Sequence, residues 1–506
     1  MTQTTATAFD NQKYLDTQKA SILKRVSSGE GRVYLEFGGK LMGDFHAARV
    51  LPGYDPDVKL RLLQSLAPEA DIIVCIHAED IERKRIRADF GITYDTAALK
   101  LINDLHAVGV EVTAVVITRF TGQPTALEFK KRLERHGLAV YLHGSLEGYP
   151  DDVDRIASQE GFGSLDYVPV TRPLVVVTGP GPNSGKMGTC LSQIYHEFQM
   201  GRKARYSKFE TFPVWNLPLS HPVNIAYESA TADLMDSNAI DHFHLEAYGI
   251  PAVNYNRDLQ TFPLLRAMLA KIAGGASVYN SPTDMGVNCI AAGIVDDAAV
   301  RKAAEMEIIR RYFKYDAENK LGRGTEEAVV RSSELIRRAN LSLADRPVVT
   351  QAREAAKLCE QEGKGDGGIY CGAAIQLPNG EIVMGKNSSL MHSAVAMILN
   401  AAKALAGLDN EKLLLRPDIL EKVSTFKHGL GTQERVGLNL SEALIVLTVS
   451  SATDPDAQKA LDVLTQLQNC DVHLSHTPGH GDEQGLRHLG CSYTYDPQVP
   501  TKKLFP

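Results

Sequence analysis

The chain has no run approaching the roughly 20 apolar residues that a membrane span requires. Its first residues, MTQTTATAFDNQKY, lack the basic start and apolar core of a signal peptide. A soluble protein is therefore expected. Cysteine is scarce: seven residues, at positions 75, 190, 289, 359, 371, 470 and 491, odd in number and without a C-x-x-C pair. That speaks against a disulfide framework and predicts reduced thiols in a cytoplasmic protein. A surplus of positive charge is missing too. Lys and Arg number 54 against 61 Asp and Glu, a formal net charge of −7. Sequence-independent nucleic-acid binding, which needs a basic surplus, is not expected. Short basic runs such as Arg83-Lys84-Arg85 read as solvated helix faces. The H-E-x-x-H signature of helical zinc proteases is also absent.

What is present is an ordinary globular composition, 44% apolar and 23% charged over 506 residues, long enough for two to four domains. One stretch stands out, Arg172 to Gln199. Leu174 to Val177 is an all-apolar, β-branched run that reads as a strand covered on both faces. Cys190, Leu191, Ile194 and Phe198 then recur at helical spacing. Between them lies Gly179-Pro180-Gly181-Pro182-Asn183-Ser184-Gly185-Lys186. Such a turn can aim backbone N–H groups, a helix N-terminus and one lysine at a small volume, a combination that holds phosphate. It departs from the G-x-x-x-x-G-K-[ST] pattern, because Pro180 replaces the first glycine and Met187 the magnesium-binding hydroxyl. Ser184 and Thr189 are the nearest substitutes. The candidate phosphate-binding residues are Gly181, Asn183, Ser184, Gly185, Lys186 and Thr189. The same residues also suit a tight strand-to-helix connection with Lys186 in solvent.

Strands at 32–37, 71–76, 112–118 and 139–142 alternate with helices at 60–66, 96–108 and 126–136. That order predicts a parallel, doubly wound α/β sheet of P-loop or Rossmann-like type, with the glycine-rich loop at a strand's carboxyl end. Two further loops at strand ends are candidates for the same crevice. One is Gly38-Gly39-Lys40 with Asp44 and His46; the other carries Glu79, Asp80, Arg87 and Asp89. Asp80 is a candidate magnesium-holding acid. Three domains are expected: an α/β domain over 1–220, a mainly helical middle domain over 221–345, and an α/β domain over 346–506.

Residues 206–255 are rich in His, Asn and aromatics and read as site-forming loops. His242, His244 and Glu246 alternate, so a strand would present them together as metal ligands, whereas a helix starting after Asp236-Ser237-Asn238 would not. Near the C-terminus, His473 and His476 belong to a second group of metal-capable residues; their competing role is as polar groups of a substrate pocket.

The stretch CGAAIQLPNGEIVMGKN reads as a hairpin, followed by a helix over 390–405, a strand over 443–449, a helix over 455–467 and a strand over 471–474. This order resembles a cytidine-deaminase-type sandwich over some 130 residues. Its zinc chemistry is not expected, because His392 is followed by Ser393 and Ala394 rather than a proton-shuttling Glu, and no P-C-x-x-C follows.

Together, TGPGPNSGKMGTC, FPVWNLPLSHPVNIAYESATADL, YNRDLQTFPLL, SPTDMGVN and the CGAAIQ stretch resemble, over nearly the whole chain, a bacterial protein family of unknown function. Some of its members have carried an ATP-dependent peptidase label that these motifs do not support. The resemblance implies a bacterial cytosolic protein with a P-loop-like first part and a deaminase-like last part. It supplies no substrate and no catalytic residues. The leading expectation is a protein that binds a nucleotide, with magnesium, or another small phosphorylated molecule, as a phosphotransferase or hydrolase. The alternatives are a homo-oligomeric, non-catalytic assembly protein and a metal-dependent hydrolase.

Overall fold

The computed structural model describes residues 7–87, 91–429 and 437–499; Asp89 lies outside them. The chain forms two compact units, one from the described residues of Ala6–Glu228 and Asp236–Ala304, the other from those of Ser229–Met235 and Glu305–Pro506. Residues 236–304, part of the segment expected to be a helical middle domain, thus join the unit of the first α/β domain. Among the described residues no helix is long and apolar enough to cross a membrane.

The first unit is built on seven parallel strands: β1 (Arg32–Phe37), β2 (Ala70–His77), β3 (Ala114–Phe120), β4 (Val140–Gly144), β5 (Leu174–Thr178), β6 (Ala204–Phe209) and β7 (Gly286–Val287). Their spatial order is β7-β6-β1-β5-β2-β3-β4. Alternation along each strand divides the core in two. Val33, Leu35, Ile72, Val74, Leu174 and Val176 pack on one face; Tyr34, Ile73, Cys75, Val175 and Val177 pack on the other. Covering on both faces explains why these strands read as unbroken apolar runs rather than as alternating ones. After β4 the chain returns to the middle of the sheet, so that β5 lies between β1 and β2, and the later strands extend the opposite edge. This reversal places the carboxyl ends of β1, β5 and β2 side by side, where open α/β sheets leave a crevice for ligands.

The second unit carries a mixed sheet of β8 (Gly372–Gln376), β9 (Ile382–Lys386), β10 (Asp471–Leu474) and β11 (Ser492–Tyr495), in the order β9-β8-β10-β11. The hairpin at Pro378 to Glu381 forms as expected, with Gly380 at φ +86° closing the turn. One expectation fails. The run Ala443 to Val449 lies in a helix, Leu440–Ser451, not in a strand. Asn439 and Glu442 form a capping box at its start, and the buried residues Leu440, Ala443, Val446, Leu447 and Ser450 follow helical spacing. A seven-residue apolar run does not by itself distinguish strand from buried helix; the cap decides.

Candidate functional site

Between β5 and the helix Lys186–Gln199 (α1), the chain turns through residues 179–185 at the centre of the sheet. Asn183 and Gly185 both adopt left-handed backbone, φ +59° and +85°, which curls the loop so that successive N–H groups face inward. Among the described residues, the amides of Asn183 through Gly188 have no hydrogen-bond acceptor; the first amide of the region to find one is that of Thr189, which donates to the Gly185 carbonyl at 3.0 Å. These are the orphan donors of a helix start, extended into the loop.

Thr118, at the end of β3, locks the loop by donating its hydroxyl to the Ser184 carbonyl at 2.9 Å. The contact is close: a Cβ on Gly185 would lie 2.6 Å from Thr118 Oγ1. Lys186 folds over the loop instead of extending into solvent. Its Nζ donates to the Gly181 carbonyl at 3.2 Å and to Ser184 Oγ at 3.4 Å. Among the described residues it forms no ion pair. An ammonium held only by two long neutral contacts has capacity left for an anion. Thr189 is buried, and its hydroxyl accepts from the Cys75 thiol at 3.4 Å.

The loop opens into a cavity of about 540 Å³. Gly181 does not line it, whereas Asn183, Ser184, Gly185, Lys186 and Thr189 do. Opposite them stand groups that the strand ends contribute: Glu36 from β1, Arg119 from β3, Tyr206 and Lys208 from β6, with Asp258. Glu36 pairs in register with Val177 of the neighbouring β5, so its carboxylate rises beside the loop. One of its oxygens accepts the Tyr206 hydroxyl at 2.6 Å. Arg119 has φ +52°, an uncommon conformation for a residue other than glycine, here at a ligand-facing strand end.

Lys208 is the hub of a buried ion cluster. Its Nζ lies 2.6 Å from Glu210 Oε1 and from Asp258 Oδ2, and 2.8 Å from the Tyr255 hydroxyl. Two carboxylates sharing one ammonium cannot both be fully compensated. Burial first, then the negative charges of Asp258 and Glu36, push the Glu210 carboxyl up to about 7, against the opposing pull of Lys208. The sign for stability follows directly. The folded protein keeps this proton at pH values where the unfolded chain has lost it, so this group's contribution is complete below the ordinary value of 4.5 and is lost as the pH rises through about 7. Glu210→Gln is expected to remove that decline, seen as a smaller difference in unfolding midpoint between pH 5 and pH 8.

The remaining candidates lie elsewhere. Asp80 does not line the cavity and pairs with Arg85 at 3.3 Å. Asp44 caps the helix Phe45–Val50 and forms a buried ion pair with Lys59 at 2.7 Å. His242, His244 and Glu246 occupy the helix His242–Tyr248, which starts at its cap Asp241 and not after Asn238; Asn238–Ile240 is a short strand. At 100° per residue they do not share one face. His244 instead bonds Ser281 Oγ at 2.9 Å. In the second unit, His473 is buried against Phe313 and bonds Thr494 Oγ1 at 2.8 Å. Burial pushes His476 down to about 4. Among the described residues, no group of three or more His, Cys, Asp or Glu side chains is placed to hold a metal ion.

Glu36, Arg119, Lys208 and Asp258 escaped the sequence reading. Glu36 had a usable signal, as the charged penultimate residue of an otherwise buried strand that runs into glycines. Asp258 had none, because it reaches Lys208 only through the folding of a distant helix.

The pattern described as "Domain of unknown function DUF1846, N-terminal" matches residues 7–340, and the corresponding C-terminal pattern matches residues 344–505. A UPF0371 protein of Clostridium tetani (strain Massachusetts / E88) is 48% identical over 498 residues, spanning 98% of this chain and 99% of the relative. A UPF0371 protein of Fusobacterium nucleatum is 49% identical over 500 residues, again 98% and 99% of the two chains.

Proposed function

Starting from the premise that the chain belongs to the DUF1846 family, of unknown function, we propose that its first unit is a P-loop-like binding domain for a small phosphorylated molecule. The single observation that carries this reading is the run of unpaired amides from Asn183 to Gly188 under an ammonium without a counter-ion. Phosphate satisfies both at once: its oxygens accept from the amides, and its charge is met by Lys186 and the positive end of α1.

Glu36, rather than Asp80, is the acid suited to hold magnesium against such a phosphate, since it lines the same cavity and sits beside the loop. Met187 offers no hydroxyl, so the ion would rest on Glu36, water and phosphate oxygens, the arrangement magnesium commonly adopts. Nucleotide binding with phosphoryl transfer or hydrolysis fits this set of groups. The second unit is read as a deaminase-like sandwich without zinc chemistry, on the support of its β8–β9 hairpin followed by the helix Ser393–Ala406. The test is calorimetric titration of the full chain with ATP, with and without magnesium. Binding that magnesium strengthens in the wild type and not in Glu36→Gln supports the reading. Absence of any ATP or phosphate binding refutes it.

A further inference from the structure

Behind Lys208, five side-chain atoms lack hydrogen-bond partners among the described residues: Glu210 Oε2, Thr211 Oγ1, Trp215 Nε1, Asn238 Oδ1 and Asn254 Nδ2. Each of these residues is at least nine-tenths buried; Asn254 is 0% exposed and Thr211 5%. A buried polar atom without a partner costs about 1–3 kcal/mol. Native proteins carry few of them, and each needs a reason. Five in one neighbourhood is a pattern.

Printed contacts tie the five together and to the cavity. Glu210 touches Lys208, which lines the cavity, and its Oε1 accepts the Tyr255 hydroxyl at 3.4 Å. Asn254 precedes Tyr255, and Tyr255 pairs with Asn238 across a short antiparallel ladder. The Trp215 carbonyl accepts from Val253 N at 2.9 Å, holding the indole against that ladder. Thr211 follows Glu210 directly. Two atoms are acceptors only, two are donors only, and the threonine hydroxyl is both. A hydroxyl group donates and accepts at once, so a set of neighbouring hydroxyls answers such a mixture, whereas an apolar ring answers none of it.

We infer that this buried polar cluster, beside the Lys208–Asp258 pair, recognises the hydroxyl-rich portion of the ligand whose phosphate the loop holds, making the ligand class a sugar or polyol phosphate. This rests on the phosphate-binding reading of the loop. Carboxylates accept from vicinal hydroxyls, and the open oxygen of Glu36 adds one more acceptor on the same side of the cavity.

The test uses the full chain and four probes besides inorganic phosphate: glucose 6-phosphate, fructose 6-phosphate, ribose 5-phosphate and glycerol 3-phosphate. The variants are Thr211→Val and Trp215→Phe, each of which deletes one orphan atom and keeps the shape. At least one probe is expected to bind more tightly than inorganic phosphate, and each variant to weaken that probe by roughly tenfold. Inorganic phosphate affinity and melting temperature should stay at wild-type values. If phosphate binds and no probe exceeds it, or ATP binds more tightly than every probe, the inference falls while the loop reading stands. If the variants lose thermal stability and leave probe affinity unchanged, buried water satisfies these atoms and the inference is again overturned. If the wild type binds no phosphate-bearing compound, both readings fall together.

Discussion

Lys186→Ala is expected to weaken phosphate or nucleotide binding on the order of a hundredfold, the effect of losing a charge-assisted contact in a partly enclosed site. Thermal stability should barely change. Lys186 donates only to Gly181 O at 3.2 Å and Ser184 Oγ at 3.4 Å and forms no ion pair among the described residues, so its removal strands no buried charge. The loop keeps its shape through Thr118 and the left-handed residues Asn183 and Gly185. Residual binding in the variant should come from the amides alone. In the wild type, affinity should fall as ionic strength rises, because one unpaired positive charge does part of the attracting. Calorimetry on the two proteins at two salt concentrations checks both statements. Equal affinity in wild type and variant would remove the lysine from the site.

Gly185→Ala acts on the loop itself. At φ +85° any other residue pays about 1–2 kcal/mol. The added methyl would also stand 2.6 Å from Thr118 Oγ1 and 2.7 Å from Thr118 Cβ, well inside contact distance. Something must move, and the Thr118 bond to the Ser184 carbonyl is the nearest thing to break. A loss of about 2–4 kcal/mol is expected, together with loss of anion binding as the amides turn away. Two causes contribute, and a double-mutant cycle separates them. Thr118→Ala should relieve the steric share in the Gly185→Ala background and leave the backbone share. Strict additivity of the two changes in urea unfolding would contradict the contact described.

The sequence made the sheet readable because its strands are buried on both faces and separated by helices that end in glycine. Gly109, Gly137 and Gly274 do follow their helices at positive φ. The loop was readable for the same local reason, since strand, turn and helix are contiguous from Leu174 to Gln199. What could not be read is what other strands bring to that loop. Strand order depends on β5 returning to the centre, and nothing in a linear pattern announces which strand will lie beside it. Glu36 and Lys208 therefore looked like ordinary charged residues at strand ends, and Asp80 looked as good as Glu36. The misread strand at 443–449 has a different origin, because apolar content overrode the Asn439–Glu442 cap written just before it. The alternation of His242, His244 and Glu246 was ambiguous until Asp241 capped the helix and turned them apart.

The account depends on the amides of Asn183 to Gly188 and the ammonium of Lys186 forming one receptor for negative charge at the end of β5. Equilibrium dialysis of the wild-type chain against labelled inorganic pyrophosphate measures that directly. Retention that saturates at one equivalent per chain, and that excess inorganic phosphate displaces, is the predicted result. Equal concentrations of label on both sides of the membrane would contradict it.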